Sequence, residues 1–234
     1  MTPTPDSGVA IVTGAASGLG AAVAVALRTA GWRVAGFDLR SSDTALSVEV
    51  DVTDAAALSA AAARVTQELG PADALVTVAG IYEELPLESI TDERWDRMLA
   101  VNIGGTVKTC AAVLPQMLER RSGAIVTISS DLGLGGSQGD AHYAATKGAI
   151  VGFSRSLALE LEGSGVFVNT VAPGAADTPM LAADSPWRAE SFLATLPAGR
   201  LVRPAEIAAA VLFFLEVGSA CVGQVVSPNA GATI

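Results

Sequence analysis

The chain has 234 residues, of which half are hydrophobic, 16% charged and only 5% aromatic, and its formal net charge is −10. This length suits one large domain or two small ones, and the composition excludes a disordered chain. The acidic balance disfavours nucleic acid and anionic membranes as partners, because both attract basic protein surfaces.

In the first half of the chain, short apolar runs rich in β-branched residues alternate with helical patterns. The predicted strands are residues 9–13, 33–38, 48–50 and 74–78. A glycine-rich loop at 14–20 precedes a helix that Gly31 closes, and Asp54 caps a second helix that ends at residue 69. Asp92 is expected to cap a third helical segment around Trp95.

The second half continues the alternation. Its predicted strands are residues 124–129, 166–171 and 224–226, and its predicted helices are residues 101–121, 141–161 and 204–217. Pro115 lies inside the first of these helices, so a kink or break is expected there. A second glycine-rich loop spans 133–139, and residues 181–196 are predicted to be irregular or helical.

The strands are continuous apolar runs, and helices of ten or more residues separate them. This pattern is typical of a parallel sheet that is buried on both faces. No repeat and no linker divides the chain. The sequence therefore predicts a single α/β domain over residues 1–234, a doubly wound parallel sheet of the Rossmann type with helices on both faces.

The chain carries two cysteines, Cys110 and Cys221, far apart and without CxxC spacing, which indicates a reduced compartment or indifference to redox conditions. The start MTPTPDSG has no basic segment followed by a long apolar core, so no signal peptide is predicted. No apolar run reaches the roughly 20 residues of a membrane span. We expect a cytoplasmic protein that is not inserted in a membrane.

The loop after the first strand reads TGAASGLG. Gly14, Gly18 and Gly20 allow the backbone to approach a pyrophosphate, and the helix N-terminus supplies free N–H groups. The spacing differs from G-x-G-x-x-G and from the P-loop, which needs a Gly-Lys-Ser/Thr ending. A tight turn without a ligand is the alternative, but the position at the first strand–helix junction favours nucleotide binding.

Asp38 ends the second predicted strand, where an acidic residue binds the adenosine ribose hydroxyls in dinucleotide-binding folds. A carboxylate there repels a 2′-phosphate. Neither Ser17 nor Leu39 is basic, and Arg40 lies one residue further on. We therefore expect NAD as the cofactor, with an ordinary surface aspartate as the alternative reading.

Tyr143 and Lys147 stand four residues apart, on one face of a predicted helix, and Ser130 precedes the tyrosine by thirteen residues. A phenol beside an ammonium is a proton-transfer pair, because the cation favours phenolate. At about 4 Å and an effective dielectric of about 20, the ammonium contributes roughly 4 kcal/mol before desolvation opposes it. We expect the pKa of Tyr143 to lie near neutrality, where acid–base catalysis is most efficient. A surface pair is the alternative, but Lys108 is the chain's only other lysine.

These motifs, in this order, resemble those of the classical short-chain dehydrogenases/reductases over about residues 9–231. The family's TGxxxGxG matches residues 13–20, YxxxK matches Tyr143 and Lys147, and its serine and asparagine match Ser130 and Asn102. The resemblance implies that Tyr143 transfers the proton while Ser130 hydrogen-bonds the reacting oxygen. It also implies that Lys147 holds the nicotinamide ribose and that Asn102 positions a proton-relay water.

The resemblance extends to the cofactor contacts. The residues it implies are Gly14, Ser17, Gly18, Leu19, Gly20, Asp38, Leu39, Asp51, Val52, Ala79, Gly80, Tyr143, Lys147, Pro173, Gly174, Ala176 and Thr178. Two departures stand out. Thr77-Val78 replaces the asparagine pair that braces the sheet in the family, so local rigidity is expected to change, and Asn229-Ala230-Gly231 replaces an acidic Asp-Gly-Gly.

Three further predictions concern residues around this motif set. The only histidine, His142, adjoins Tyr143, but neighbours on a helix do not share a face, so a structural or interface role is favoured over lining the cleft. Ser129 is expected to end its strand and face the sheet. Neither Asp140 nor the acidic residues Glu83, Glu84 and Glu88 show metal-ligand spacing, so no catalytic metal is predicted.

Residues 178–200 occupy the position of the family's substrate lid. Leu181, Trp187 and Phe192 favour a hydrophobic or cyclic secondary alcohol or ketone, although Arg188 could instead meet an acidic tail. The loop after Ser130 is expected to add Asp131, Leu132, Leu134 and Gln138 to this pocket. The helices at 101–118 and 142–161 are apolar nearly all round. This predicts a homo-oligomer, a tetramer or a dimer.

The sequence thus predicts an NAD-dependent alcohol dehydrogenase or ketone reductase acting on a small-molecule alcohol or ketone. A non-catalytic NAD sensor on the same fold is one alternative, and the intact Ser130, Tyr143 and Lys147 argue against it. A lyase such as a halohydrin dehalogenase is another. Such lyases replace the lysine and fill the nicotinamide pocket, whereas Lys147 and the glycine loop are intact here.

Overall fold

The computed structural model describes residues 8–232. The first seven residues, in which no signal peptide is predicted, and the last two lie outside this range. Within it, the strands are β1 Val9–Thr13, β2 Arg33–Asp38, β3 Leu46–Glu49, β4 Ala74–Thr77, β5 Gly123–Ile128, β6 Val166–Val171 and β7 Val225–Val226. They form one parallel sheet in the order β3-β2-β1-β4-β5-β6-β7. The predicted doubly wound sheet is confirmed.

The helices flank this sheet on both faces. They are α1 Gly18–Thr29, α2 Ala55–Glu68, α3 Asp92–Leu99, α4 Gly105–Arg120, α5 Leu132–Gly135, α6 Ala141–Glu160, α7 Glu190–Leu193 and α8 Pro204–Val217. Alternate residues of β1 enter two separate hydrophobic cores: Val9 and Ile11 pack with α2, α4 and α6, whereas Ala10 and Val12 pack with α1 and α8. The strands are continuously apolar because each face of the sheet is covered.

The chain runs outward in opposite directions from β1 and β4, which are neighbours in the sheet. In such sheets a crevice opens at the carboxyl ends of these two strands, and ligands bind there. The Thr13 side-chain oxygen accepts hydrogen bonds from the backbone N–H groups of Val78 and Ala79, at 2.9 and 3.0 Å. A threonine of β1 thus braces the segment after β4. Thr77 is buried, and its hydroxyl has no partner within residues 8–232.

The cap of α3 differs from the prediction. Thr91 precedes the helix, and its hydroxyl accepts a hydrogen bond from the backbone N–H of Arg94 at 3.4 Å. The expectation that Asp92 is the cap is therefore wrong. Asp92 occupies the first helical turn instead, where a carboxylate is favoured by the exposed N–H groups of the helix end.

Helix α4 runs through Pro115 without a break. The irregularity lies earlier, at Ala100–Gly104, where a π-helical turn joins α3 to α4. Val113 and Met117, on either side of the proline, are fully buried, and the side chain of Gln116 accepts a hydrogen bond from the backbone N–H of Ala72. Packing thus keeps the helix intact despite the missing N–H, and the predicted break is wrong.

The continuous helical stretch Asp92–Arg120 includes α3, the π-helical turn and α4. Within the described residues it is the one stretch whose length and apolar composition would allow it to cross a membrane. Core helices of soluble proteins have the same composition. Here α4 packs against α2 and the sheet, and it contributes Cys110, Val113 and Met117 to a hydrophobic core. This packing accounts for the apolar composition of the run.

Candidate active site

The glycine loop lies between β1 and α1. Gly14 and Gly18 have left-handed φ angles of +68° and +53°. A Cβ on Gly20 would lie 2.0 Å from the carbonyl oxygen of Gly14, so this loop conformation requires glycine at position 20. Ser17 precedes α1 but its side chain does not cap the helix. The first-turn N–H groups are therefore available to an anion, and the loop fits a pyrophosphate.

The carboxylate of Asp38 is bound to two backbone groups. Its oxygens accept hydrogen bonds from the N–H groups of Ala16 at 3.0 Å and Arg40 at 3.1 Å. The guanidinium of Arg40 donates to the Ser17 hydroxyl at 3.2 Å. The turn after β2 thus brings a cation to the glycine loop. The expectation that no basic side chain offsets Asp38 there is wrong, because sequence distance does not show how this turn folds back.

The residues expected around the adenine lie at the same edge of the sheet. The backbone N–H of Val50 donates to the carbonyl of Asp38 at 2.8 Å, which sets Asp51 beside the end of β2. Val52 is buried, and a Cβ on Gly105 would lie 2.6 Å from it. Asp51 accepts a hydrogen bond from the N–H of Thr53 at 2.8 Å.

Helix α6 carries Tyr143 and Lys147 on adjacent turns. The Lys147 ammonium lies 5.6 Å from the centre of the Tyr143 ring and donates to the carbonyl of Ile128, at the end of β5, at 3.1 Å. Ser129 anchors this helix: its hydroxyl donates to the Lys147 carbonyl at 2.7 Å. Ser129 therefore contacts the helix backbone instead of facing the sheet as expected.

Ser130 follows β5 at the mouth of the same site. Its hydroxyl lies 3.1 Å from a carboxylate oxygen of Asp131 and accepts a hydrogen bond from the N–H of Leu132 at 3.2 Å. It also hydrogen-bonds Tyr143, an interaction that lowers the tyrosine pKa. Ser130, Tyr143 and Lys147 thus share one site although the short helix α5, a loop and the first turns of α6 separate Ser130 from Lys147 along the chain.

Burial governs the charges of the pair. It raises the pKa of Tyr143 well above the usual value of 10, and the negative charges of Asp131 and Asp140 raise that pKa further. Burial also lowers the pKa of Lys147 to about 8. The expected lowering of the Tyr143 pKa by Lys147 is not observed. The physical reason is that desolvation of the buried phenolate outweighs the attraction of the Lys147 ammonium, which lies over the ring at 5.6 Å and is bound to the Ile128 carbonyl.

Asn102 lies in the π-helical turn and is completely buried. Its side-chain oxygen accepts from the N–H of Ile81 at 2.8 Å, and its amide nitrogen donates to the carbonyl of Ile81 at 3.0 Å and to the Thr146 hydroxyl at 3.1 Å. Asn102 thus joins the segment after β4 to α6. It does not line the substrate cavity.

A cavity of about 260 Å³ opens beside Tyr143. Its lining includes Leu19, Gly80, Ser130, Tyr143, Lys147, Pro173, Gly174, Ala176 and Thr178 from the predicted site. Met180, Leu181, Trp187 and Phe192 from the predicted lid form an apolar wall. Arg188 is not part of the lining, because its guanidinium binds Asp177 at 2.7 Å and backbone carbonyls of the lid. An acidic substrate tail therefore has no support from Arg188.

One residue of the site, Tyr82, escaped the sequence prediction, whereas Asp131 was predicted only as part of the loop that follows Ser130. The Tyr82 ring meets the Tyr143 ring edge to face, with centres 4.9 Å apart, and its hydroxyl accepts a hydrogen bond from the Trp187 indole at 3.1 Å. Asp131 is buried next to Ser130. One signal for Tyr82 was available, since it is one of only two tyrosines in the chain.

Asp140 and His142, which lie just before Tyr143 in the chain, are buried. Neither His142 ring nitrogen has a hydrogen-bond partner within the described range, and the ring does not line the cavity. The Asp140 carboxylate likewise has no well-formed hydrogen bond within that range, although Tyr82 and Ser137 lie close enough to lower its pKa. Burial raises the Asp140 pKa above its usual range. The structural role predicted for His142 stays a prediction.

A glycine loop at the switch point of a doubly wound sheet, next to a buried tyrosine–lysine pair, defines a dinucleotide-binding α/β enzyme. Residues 8–189 match the family described as short chain dehydrogenase. The chain is therefore a member of the short-chain dehydrogenase family and is an oxidoreductase of that family. Members of the family use a nicotinamide cofactor.

Individual relatives are similar in sequence or structure to this chain over nearly its full length. The chain is 39% identical to D-threitol dehydrogenase from Mycolicibacterium smegmatis, covering 93% of this chain and 89% of that protein. It is 36% identical to the 3-oxoacyl-(acyl-carrier-protein) reductase FabG of Escherichia coli, covering 95% and 96%. Aldohexose dehydrogenase from Thermoplasma acidophilum superposes with a TM-score of 0.90 at 27% identity, covering 97% of this chain and 94% of that structure.

No group of three or more His, Cys, Asp or Glu side chains within residues 8–232 is arranged to hold a metal ion. The predicted absence of a catalytic metal stays a prediction.

Proposed function

We propose that the protein transfers a hydride between NAD and a secondary alcohol or ketone with a hydrophobic or cyclic body. The observation that carries this proposal is the convergence of Ser130, Tyr143 and Lys147 on one cavity with an apolar lid wall. Leu19 and Gly80 line the same cavity, so it is continuous with the glycine loop. The names of the relatives differ in substrate, from a polyol to an acyl chain, and do not select one.

The proposed cofactor residues are those predicted from the sequence, from Gly14 to Thr178. The case for a bound dinucleotide rests on the glycine loop. No side chain caps the helix that follows it, and a Cβ at Gly20 would collide with the backbone of Gly14. When bound, the nicotinamide supplies the position that accepts or donates the hydride. The chain's own residues orient the substrate oxygen, exclude water and move the proton.

Tyr143 is the proposed acid–base residue. In the reduction direction the Tyr143 phenol, the form that burial favours, gives its proton to the carbonyl oxygen. Oxidation is the reverse: the alcohol proton passes to the phenolate, which the positive charge of an oxidised nicotinamide would favour. Ser130 holds the same substrate oxygen by a hydrogen bond. Lys147 places a compact ammonium beside Tyr143, and its lowered pKa of about 8 allows it to exchange protons near neutral pH. For Asn102 we propose the water-positioning role that the family resemblance implies.

The test of the mechanism is Tyr143→Phe, which keeps the ring against Tyr82 and removes only the hydroxyl. Turnover of alcohols and ketones, followed at the nicotinamide absorbance, is expected to fall at least 1,000-fold, while binding of NAD by calorimetry is retained. Unchanged turnover would contradict the mechanism. NAD binding by the wild-type protein without turnover of any alcohol or ketone would support the sensor alternative.

We propose NAD over NADP because Asp38 holds a negative charge where a 2′-phosphate would lie. Arg40 favours the opposite choice, since a guanidinium beside Ser17 is a phosphate-binding group. The measurement is kcat/KM with NAD and NADP for the wild type, Asp38→Asn and Arg40→Ala. We expect the wild type to prefer NAD, Asp38→Asn to lose that preference and Arg40→Ala to increase it. A wild-type preference for NADP that Arg40→Ala abolishes would overturn the assignment.

We further propose that the chain is one domain that works in the cytoplasm as a homo-oligomer, a dimer or tetramer formed through α4 and α6. Val107 and Leu118 on α4 and Leu159 on α6 are exposed, and open space lies beside Gly152 on α6. Light scattering is expected to give a multiple of the chain mass. Leu159→Glu should shift it toward the monomer, and a wild-type monomer would refute the proposal.

A further inference from the structure

Asp131 is a buried carboxyl group in the wall of the substrate cavity. It is 4% exposed. Burial raises its pKa to about 6, while hydrogen bonds from Ser130 and Leu132 oppose the rise. The group therefore remains largely ionised at pH 7 to 8. A buried carboxylate is unfavourable unless it is paired or serves a purpose.

This carboxylate has no partner of opposite charge among the described residues. None of the ion pairs within residues 8–232 involves Asp131. It precedes the short helix α5, but its side chain does not cap that helix. Its side-chain hydrogen-bond partner is the hydroxyl of Ser130, at 3.1 Å, the group that holds the reacting oxygen under the proposed mechanism, and the backbone N–H of Leu132 also favours its charge. Asp131 thus presents a negative acceptor immediately beside the reaction centre.

We propose that Asp131 accepts a hydrogen bond from a second hydroxyl on the carbon next to the reacting one, so that the substrate is a vicinal diol in oxidation or an α-hydroxy ketone in reduction. This inference rests on the proposed function, because it takes the oxygen held by Ser130 and Tyr143 as the reacting one. Asp131 is a specificity-determining residue in this scheme and takes no part in the proton transfer.

Geometry and chemistry both favour this substrate class. The 3.1 Å between the Ser130 oxygen and the Asp131 oxygen is a spacing that two oxygens on adjacent carbons can match. An ionised carboxylate only accepts hydrogen bonds, so it binds a hydroxyl and repels a second carbonyl. Leu181, Trp187 and Phe192 line the same cavity, which suits an apolar remainder of the substrate.

The experiment compares trans-1,2-cyclohexanediol with cyclohexanol in the wild type, Asp131→Asn and Asp131→Ala. The wild type should oxidise the diol with a kcat/KM about 10- to 100-fold above that of the mono-alcohol, the usual effect of one hydrogen bond to a charged group. Asp131→Asn should reduce that ratio to within about threefold of one, mainly through the KM of the diol. Asp96→Asn, which alters an exposed carboxylate on α3, should leave the ratio unchanged.

A binding measurement keeps the inference testable if a variant turns over slowly. Pinacol is a vicinal diol that cannot be oxidised, and we expect it to inhibit the wild type competitively and Asp131→Asn at least tenfold more weakly. Thermal melting confirms that each variant is folded. Equal wild-type efficiency on diol and mono-alcohol, a preference retained by Asp131→Asn, or a stronger preference for a 1,2-amino alcohol would overturn the inference. Absence of turnover on all alcohols and ketones would instead refute the proposed function itself.

Discussion

At the scale of single residues, the charge on Lys147 opposes folding. Burial lowers its pKa from 10.5 to about 8, so the unfolded chain binds more protons than the folded one between these pH values. Stability therefore rises as the pH increases from about 8 to about 10.5, because the unfolded state loses the proton that favoured it. At neutral pH the buried ammonium destabilises the fold by up to about 3 kcal/mol.

Lys147→Met should therefore stabilise the protein while abolishing turnover. We expect the free energy of unfolding at pH 7 to increase by about 1 to 3 kcal/mol, with loss of the hydrogen bond to Ile128 limiting the gain. Urea denaturation at pH 7 and pH 10.5 measures both the gain and its decrease at high pH. Lys108→Met is the control and should destabilise, because it removes a part-buried hydrogen bond to the Thr53 carbonyl. A Lys147→Met protein less stable than wild type at pH 7 would contradict the argument.

The sequence could predict the Tyr143–Lys147 pair because helical spacing is local information. It could not predict that Tyr82 packs on Tyr143 or that Arg40 reaches Ser17, since these contacts depend on how distant segments fold together. The direction of the Tyr143 pKa was missed for a related reason. Desolvation depends on the depth of burial, which no spacing encodes.

At the scale of secondary-structure elements, two threonines end the neighbouring strands β1 and β4 with opposite consequences. The Thr13 hydroxyl holds the N–H groups of Val78 and Ala79, whereas the buried Thr77 hydroxyl has no partner in the described structure. An unsatisfied buried hydroxyl destabilises by about 1 to 3 kcal/mol. The bracing that asparagines give in the family thus comes here from the adjacent strand.

Identical substitutions at these threonines should therefore act in opposite directions. Thr77→Val is expected to raise the free energy of unfolding by about 1 kcal/mol, because it removes an unpaired polar group and keeps the side-chain shape. Thr13→Val should lower it by about 2 to 3 kcal/mol, since it leaves two backbone N–H groups without an acceptor. Chemical denaturation of both variants makes the comparison. Destabilisation by Thr77→Val would show that its hydroxyl has a partner, such as a bound water.

The strands and the longer helices were predictable because their hydrophobic pattern repeats over many residues. The exceptions are informative. The continuity of α4 through Pro115 depends on tertiary packing of Val113 and Met117, and the cap at Thr91 depends on one side-chain rotation. The helix propensities of the individual residues predict neither the continuity of α4 nor the choice of Thr91 as the cap.

At the scale of the whole molecule, the lid and the proposed catalytic helix are connected through Tyr82. Its hydroxyl binds the Trp187 indole, and its ring rests against Tyr143, so the lid contacts the reaction centre through one side chain. Burial raises the pKa of Tyr82 far above its usual value, which keeps its hydroxyl neutral. The sequence could not predict this contact, because it joins residues 105 positions apart; the lid at 178–200 stays a prediction.

Tyr82→Phe should loosen the lid without disturbing the ring contact. We expect the KM for the alcohol to rise about three- to tenfold, in line with the loss of one neutral hydrogen bond, while kcat changes less than threefold. Steady-state kinetics on the best alcohol provide the measurement. Trp187→Phe removes the same bond from the other side and should reproduce the effect. Non-equivalent effects of the two variants would show that the bond does not hold the lid.

The contact between Trp187 and Tyr82 also gives the protein an intrinsic optical reporter. Indole emission responds to a hydrogen bond at its nitrogen and to nearby rings, and Trp187 has both, with Phe192 edge to face at 4.8 Å. The other two indoles, Trp32 in the core and Trp95 on α3, lie outside the cavity lining. Substrate added to Trp95→Phe should still change the emission, and substrate added to Trp187→Phe should not. Stopped-flow fluorescence would then time the lid's motion separately from hydride transfer, with no attached dye.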